Sequence, residues 1–131
     1  MKQKRLALAD IPKGEVSATQ QGAVVRYLGE LQDIGGLKGT DIANITDVSK
    51  ATVSRWKAGS MKPHPRNELI LSDLTYIVGR LQEYYSPDEI RSWLYARHPQ
   101  LEGQRAIDLI HQNKSIDVLR VLERLDAGVF L

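Results

Sequence analysis

The chain of 131 residues contains no cysteine and no long apolar segment. Without cysteine it can form no disulfide, use no thiolate in catalysis and bind no zinc or iron–sulfur cluster through sulfur. A transmembrane helix needs about 20 mostly apolar residues, and no segment approaches that length. The four apolar residues before Asp10 are too few for a secretory signal. We therefore expect a cytoplasmic protein.

Aromatic residues are also scarce, but hydrophobic residues make up 42% of the chain and charged residues 26%, which is sufficient for one or two globular domains. The two signs of charge are unevenly distributed. Residues 1–66 carry 11 Lys and Arg against 6 Asp and Glu, a net charge of +5, whereas residues 67–131 carry 7 against 10, a net charge of −3. The basic half favours a polyanionic partner that the acidic half would not share.

Apolar residues recur at helical spacing along most of the chain. Val24, Leu28 and Leu31 follow the i, i+4, i+7 pattern, and a similar pattern continues over three turns from Ile70 to Leu81. No segment shows the alternation that is typical of a strand. The sequence predicts an all-α fold, in which an N-terminal helix-turn-helix bundle is followed by a C-terminal helical domain.

Helix-breaking residues divide this pattern. Pro63 and Pro65 cannot lie in a helix interior, and this break coincides with the change in charge. Ser86-Pro87-Asp88-Glu89 predicts a helix start with a capping box, and Ser115 is the predicted cap of the last helix. We predict an N-terminal extension at residues 1–16, a helix-turn-helix domain at residues 17–66 and a C-terminal domain at residues 67–131.

Residues 37–59 have the pattern of a helix-turn-helix. Ala43 is the small residue at the helix crossing, and Val48 is the apolar residue of the turn. Ser49 is a suitable N-cap for the second helix, and Gly59 a suitable C-terminal stop. Two apolar residues, Val53 and Trp56, face inward in this interpretation, which leaves an outer face without acidic residues from Lys50 to Lys57.

The segment Val-Ser-Lys-Ala-Thr-Val-Ser-Arg-Trp-Lys-Ala-Gly resembles the recognition helix of Xre/lambda-repressor-type proteins, whose second helix enters the major groove. The resemblance implies that Arg55 pairs with a guanine edge, whereas serine and threonine hydroxyls bind phosphates. A helical hairpin that is retained only for packing is the alternative. The candidate DNA-binding residues are Lys38, Thr40, Ser49, Lys50, Thr52, Ser54, Arg55 and Lys57.

The C-terminal half combines buried positions with an apolar end. Trp93, Leu94, Leu122 and Leu125 are predicted core or dimer residues. Val129-Phe130-Leu131 follows a helix stop at Gly128, and exposure of each large side chain to water would cost about 1.5–3 kcal/mol. These three residues should therefore pack against a partner or fold back onto Trp93 or Leu125.

The pattern His98-Pro99-x-Leu101-x-Gly103, followed by Ile107-Asp108-Leu109-Ile110 and a final Gly-Val-Phe, resembles the toxin-binding domain of Xre/ParS/MbcA-type antitoxins. Ala106 and Asn113 depart from the family pattern, which commonly has proline and glycine there. The resemblance implies that residues 67–131 form a toxin-binding and dimerisation domain. The homodimer would bind a NAD-consuming RES-domain toxin, with Val129, Phe130 and Leu131 near the mouth of the toxin's cleft. The resemblance also implies binding to the promoter of its own operon.

No enzymatic site is indicated. His64, His98 and His111 lie in different segments without a metal-ligand spacing, and no phosphate-binding loop is present. We expect no catalysis, no metal and no cofactor. The alternative to an antitoxin is a free-standing transcription regulator whose C-terminal half dimerises or senses a small molecule. A neighbouring gene of toxin size would distinguish the two.

Overall fold

The computed structural model describes residues 13–128, with side chains from residue 22 onward. Over this range the fold is all-α, as predicted, and one small two-stranded sheet interrupts the helices. No helix of the described range is both long and apolar enough to cross a membrane. The elements are α1 (Lys13–Asp33), α2 (Gly39–Thr46), α3 (Lys50–Ala58), α4 (Pro65–Leu81), α5 (Pro87–Tyr95), β1 (Arg97–His98), a 3₁₀ turn (Pro99–Leu101), β2 (Gln104–Arg105), α6 (Ala106–His111) and α7 (Ser115–Asp126).

Helix α4 lies at the centre of the fold and contacts α1, α2, α6 and α7. It can do so because apolar residues occupy most of its circumference, so that it buries side chains toward several neighbours. Their burial is nearly complete, and no more than 1% of any of the following side chains is exposed: Ile70, Leu71, Leu74, Ile77, Val78 and Leu81. One hydrophobic core therefore runs from α1 to α7.

The break between the predicted domains falls at the start of α4. Pro65 occupies the first turn of the helix, and the Nδ1 atom of the cap residue His64 accepts a hydrogen bond from the Arg66 N–H at 3.1 Å. Buried side chains from both sides of this break, such as Leu28 and Leu74, belong to the same core. The division at residue 66 thus stays a prediction about function, because packing joins the two sides.

The helix starts and ends that local sequence predicts are mostly present. Ser86 and Glu89 form the predicted capping box, in which the Ser86 N–H donates to Glu89 Oε1 at 2.8 Å. Gly59 ends α3 in the left-handed conformation with a φ of 76°. Ser115 differs from the prediction, because Lys114 is the cap of α7 and the buried Ser115 hydroxyl has no hydrogen-bond partner.

The small sheet is an element that the sequence did not predict. In β1 and β2, Arg97 pairs with Arg105 and His98 with Gln104, in antiparallel register. The turn between them uses Glu102 and Gly103 at positive φ. Strands of two residues are too short to produce a detectable alternation of apolar and polar side chains.

Candidate nucleic-acid interface and the C-terminal half

Helices α2 and α3 form the predicted pair with a tight turn between them. Helix α2 ends at Asp47, which adopts a left-handed φ of 59°, and the side chain of Val48 packs partly buried against the core. On α3, Val53 and Trp56 are buried, as expected. The apolar contacts of α3 with α1 and α2 fix the orientation of the helix, and its opposite face is left in solvent.

The first turn of α3 is held by its own side chains. The Ser49 Oγ atom accepts a hydrogen bond from the Thr52 N–H at 3.1 Å, and the two hydroxyl oxygens lie 2.9 Å apart. Ser49 is therefore the N-cap that the sequence predicts. Because one Ser49 lone pair is used by the cap, the hydroxyls of Ser49 and Thr52 keep only part of their hydrogen-bonding capacity for a ligand.

Three predicted DNA-binding residues of α3 are exposed, namely Lys50, Ser54 and Arg55. Lys57 is exposed too, but its Nζ atom donates to Gln32 Oε1 on α1 at 2.6 Å. Lys57 thus fastens α3 to α1 and lies at the flank of the exposed face. Lys38 and Thr40 are exposed on either side of the start of α2.

The segment that contains α3 and the loop after it carries charge of one sign. From residue 48 to residue 67 the chain has five Lys and Arg residues and no Asp or Glu. Such a surface attracts phosphates through long-range electrostatics that weaken with added salt. The preceding acidic residue, Asp47, is exposed at the turn between the helices.

A buried carboxylate beside this surface is the main feature that the sequence analysis missed. Only 5% of Asp41, in the first turn of α2, is exposed. Its Oδ1 atom accepts hydrogen bonds from Arg91 Nη2 at 3.0 Å and from Tyr95 Oη at 2.6 Å. Its Oδ2 atom accepts from the Lys38 N–H at 2.8 Å and from Arg91 Nε at 3.3 Å. In sequence Asp41 resembles an ordinary first-turn acid, because its side-chain partners lie 50 and 54 residues away.

These contacts set the protonation of the cluster. Burial alone would raise the pKa of Asp41. The hydrogen bonds from Arg91, Tyr95 and the Lys38 N–H together outweigh burial, so the pKa of Asp41 lies below its ordinary value. Burial and the hydrogen bond to Asp41 raise the pKa of Tyr95 to about 12. Tyr95 is therefore a protonated donor and Asp41 an ionised acceptor near neutral pH.

The cluster continues into α6 through cation–π contacts. The Tyr95 ring lies 4.8 Å from the Arg91 guanidinium carbon and 5.6 Å from that of Arg105. Arg105 in turn forms a bidentate pair with Asp108, at 2.8 and 2.9 Å. A second link between α2 and α6 is the contact of 2.7 Å between His111 Nδ1 and the Ile45 carbonyl oxygen.

The predicted core or dimer residues pack in or against the hydrophobic core of this chain. Leu94 and Leu122 are buried, Leu125 is half-buried, and the Trp93 ring packs against the His98 ring with centroids 4.5 Å apart. The predicted toxin-binding residues Val129, Phe130 and Leu131 lie outside the described residues.

The C-terminal half also exposes large apolar side chains on α4, after α4 and on α7, namely Leu69, Tyr76, Tyr84 and Ile116. Among the described residues, no group of three His, Asp or Glu side chains is arranged to hold a metal ion.

Comparison with known proteins gives relatives of one kind. The mycobacterial cidal antitoxins MbcA of Mycobacterium tuberculosis and Mycobacterium bovis are 28% identical to this chain over 116 residues, which cover 88% of this chain and 96% of each relative. A probable mycobacterial cidal antitoxin of Mycobacterium tuberculosis is 28% identical over 96 residues, 73% of this chain and 82% of the relative. No family model matches the sequence.

The fold agrees with the sequence comparison. The fold of this chain matches that of a chain in the crystal structure of the Mycobacterium tuberculosis MbcT–MbcA toxin–antitoxin complex, with a TM-score of 0.70 and 26% identity. The match covers 88% of this chain and 98% of the other. The chain is homologous to the MbcA antitoxins.

This homology confirms the resemblance to MbcA-type antitoxins, and the coverage of 88% takes in residues of both halves. The backbone also accounts for one departure from the family pattern. Asn113 adopts a φ of 61°, a conformation that glycine enters most readily and that asparagine tolerates better than most residues. The backbone at this position therefore suits asparagine.

Proposed function

We propose that this protein is the antitoxin of a type II toxin–antitoxin system, which neutralises a RES-family, NAD-consuming toxin and represses its own operon. The observation that carries the proposal is the structural match to a chain of the MbcT–MbcA complex over 88% of the protein. An antitoxin role also follows from the homology to MbcA. Both activities place the protein in the cytoplasm, where NAD and operon DNA are found.

Neutralisation requires no chemistry by the antitoxin in this proposal. Its C-terminal half binds the toxin and blocks the cleft sterically, with Val129, Phe130 and Leu131 at the mouth. Support comes from the apolar character of these three residues after the left-handed Gly128, which has a φ of 82°. Large apolar side chains gain free energy from burial against a partner.

Deletion of residues 129–131 tests the role of this end. We expect the shortened chain to keep its melting temperature and promoter affinity, while the dissociation constant for the toxin rises at least about tenfold, as expected when a large interface side chain is lost. Calorimetric titration of the toxin with both chains measures the change. Equal toxin affinity would contradict the proposed role, and a lowered melting temperature would instead favour folding of Phe130 back onto its own core.

Repression is assigned to the exposed face of α3, acting as the recognition helix of a helix-turn-helix. Arg55 and Lys50 are exposed, and no acid lies between residues 48 and 67 to repel phosphates. We assign Arg55 to a base edge and Lys50, with Lys38, Thr40, Ser49, Thr52, Ser54 and Lys57, to the phosphate backbone. One such module on DNA buries only about 600–1,000 Å² of protein surface, so the functional unit is a homodimer on two half-sites.

Alanine substitution separates these roles. We expect Arg55→Ala to cost about 1–3 kcal/mol in promoter binding and to relax sequence preference, whereas Lys50→Ala weakens all duplexes alike and reduces the salt slope by about one. Gel-shift titrations with promoter and scrambled duplexes at several salt concentrations measure both effects. Arg120→Ala is the control, because Arg120 is an exposed cation on α7. Unchanged promoter affinity in the double variant Lys50→Ala/Arg55→Ala would contradict the assignment.

A further inference from the structure

The described residues contain two clusters of the same composition, each with an aspartate that binds an arginine and a tyrosine. In the first cluster Asp41 of α2 binds Arg91 and Tyr95 of α5, so that it joins the two predicted domains. In the second, Asp126 of α7 binds Arg80 of α4, and the Tyr84 hydroxyl donates to Asp126 Oδ1 at 2.7 Å. The second cluster lies wholly within the C-terminal half.

We propose that Arg91 and Tyr95 are positioning residues for DNA binding, which act through Asp41 on the DNA-facing start of α2. The inference rests on the proposed DNA-binding function and assigns part of it to the half of the chain that was predicted to bind only the toxin. Neither residue need touch DNA, because each acts through the Asp41 carboxylate.

The first step of the argument is the connection from α5 to the backbone at Lys38. Asp41 uses Oδ2 to accept the Lys38 N–H and uses both oxygens to accept from Arg91. One carboxylate therefore orders the peptide that carries Lys38 and also fastens it to a helix 50 residues later. Lys38 and Thr40 are the two candidate phosphate contacts of α2, and they lie three residues and one residue before Asp41.

The second step is electrostatic. A carboxylate next to a DNA-facing surface repels phosphates unless a cation neutralises it, and Arg91 supplies that charge at 3.0 Å. Because only 5% of Asp41 is exposed, loss of the Arg91 guanidinium leaves the carboxylate with an incomplete set of fixed hydrogen bonds. Water that enters in place of Arg91 does not hold the carboxylate against α5, so the start of α2 can shift and Lys38 would move with it.

The third step is a separate backbone contact in the same region. Gly36, with a φ of 65°, lies so close to α5 that a Cβ atom there would be 2.7 Å from the Pro87 carbonyl oxygen. The segment from Gly36 to Asp41 is thus fitted to α5 at its beginning by the backbone and at its end by the cluster. The two contacts together hold the start of α2 in place against α5.

The experiment compares matched variants of the two clusters in the full-length chain, using gel-shift titration on a duplex of its own promoter. We expect Arg91→Gln to weaken promoter binding about tenfold and Tyr95→Phe about threefold, as expected when a buried acceptor loses a partner. Arg91→Lys should recover part of the affinity by keeping the charge. The control variants Arg80→Gln and Tyr84→Phe should stay within about twofold of the unaltered chain, since their cluster does not reach α2.

Stability is controlled separately. Ile77→Val shortens a fully buried side chain of α4 away from the cluster, and it should lower the melting temperature without reducing promoter affinity. Hydrogen exchange at the Lys38 amide gives a readout without DNA, and this amide should exchange faster in the Arg91 and Tyr95 variants but not in the Arg80 and Tyr84 variants.

The outcomes separate this inference from the function on which it rests. An unaltered chain that does not bind its promoter would overturn both. If the unaltered chain binds its promoter and the Arg91→Gln and Tyr95→Phe variants bind it equally well, the positioning role alone is overturned. Equal losses from Arg80→Gln and Arg91→Gln would do the same, because general destabilisation would then explain both.

Discussion

At the scale of single residues, the most informative group is the buried carboxylate of Asp41. A buried charge stabilises a fold only when its partners supply nearly all of the hydrogen bonds that water would have made. Asp41 meets this condition with the Lys38 N–H, the Arg91 guanidinium and the Tyr95 hydroxyl. Its lowered pKa means that its contribution to stability is present above the ordinary aspartate pKa and is lost as pH falls through the lowered value.

Tyr95 gives a prediction at the alkaline end. Its pKa is raised to about 12 from an ordinary value of 10.0, so the protonated hydroxyl stabilises the fold fully below about pH 10. That contribution should disappear as pH rises through about 12. Because Tyr95 is only half-buried and solvent screens part of the effect, we expect a loss on the order of 1–2 kcal/mol in the free energy of unfolding.

Urea unfolding at pH 9, 10, 11 and 12, in the unaltered chain and in Tyr95→Phe, measures this loss. The difference between the two proteins should shrink toward high pH, because phenylalanine has no proton to lose. Tyr84, whose pKa is also raised by its hydrogen bond to Asp126, is present in both proteins and cancels in the difference. A difference that does not change with pH would contradict the assignment.

At the scale of elements, the local sequence was enough to predict most helix ends. Ser49, Ser86 and Gly59 act within three to five residues of themselves, so their roles can be inferred from spacing alone. The cluster at Asp41 could not be predicted in this way, because its side-chain partners lie on another helix. The small sheet was missed because its strands have two residues each, and the buried position of Ser115 depends on the packing of α7.

The two left-handed glycines Gly36 and Gly59 give a matched test of how elements are joined. Both have positive φ, but a Cβ atom at Gly59 would meet nothing within 4 Å, whereas at Gly36 it would meet the Pro87 carbonyl at 2.7 Å. We expect Gly59→Ala to cost about 1 kcal/mol through backbone strain alone. Gly36→Ala should cost more than about 2 kcal/mol, because a backbone carbonyl must also move.

Urea unfolding of the two alanine variants provides the measurement. Gly59→Ala serves as the control for strain, since it has the same change in backbone energetics without the steric contact. Equal losses in the two variants would show that the connection between α1 and α2 is not fitted to α5. That result would also remove one of the two contacts that position the start of α2.

At the scale of the whole molecule, the distribution of charge divides the chain, whereas the hydrophobic core does not. Charge separates a basic half from an acidic half near residue 66, whereas the core is continuous, with α4 packed between α1 and α7. The sequence predicted the all-α class and the candidate recognition helix because both depend on local periodicity. It could not show that the two predicted domains share a core, because periodicity identifies which face of a helix is buried and not which helix covers that face.

Homology to the MbcA antitoxins agrees with this joined architecture. The matched chain of the MbcT–MbcA complex is covered over 98% of its length, so the similarity extends to the whole fold and not to the α2–α3 unit alone. A protein that binds DNA with one face and a toxin with another can link these activities when a single core connects the two faces. The contacts between α2 and α5 are those that we propose to position the start of α2.

The most direct test of the central claim, that this protein is an antitoxin, is the rate of NAD consumption by the RES-family toxin that we propose as its partner. The toxin is held at fixed concentration and titrated with the full-length chain. The account predicts that NAD consumption stops near a stoichiometric amount of the full-length chain. Undiminished NAD consumption in a large excess of folded chain would contradict it.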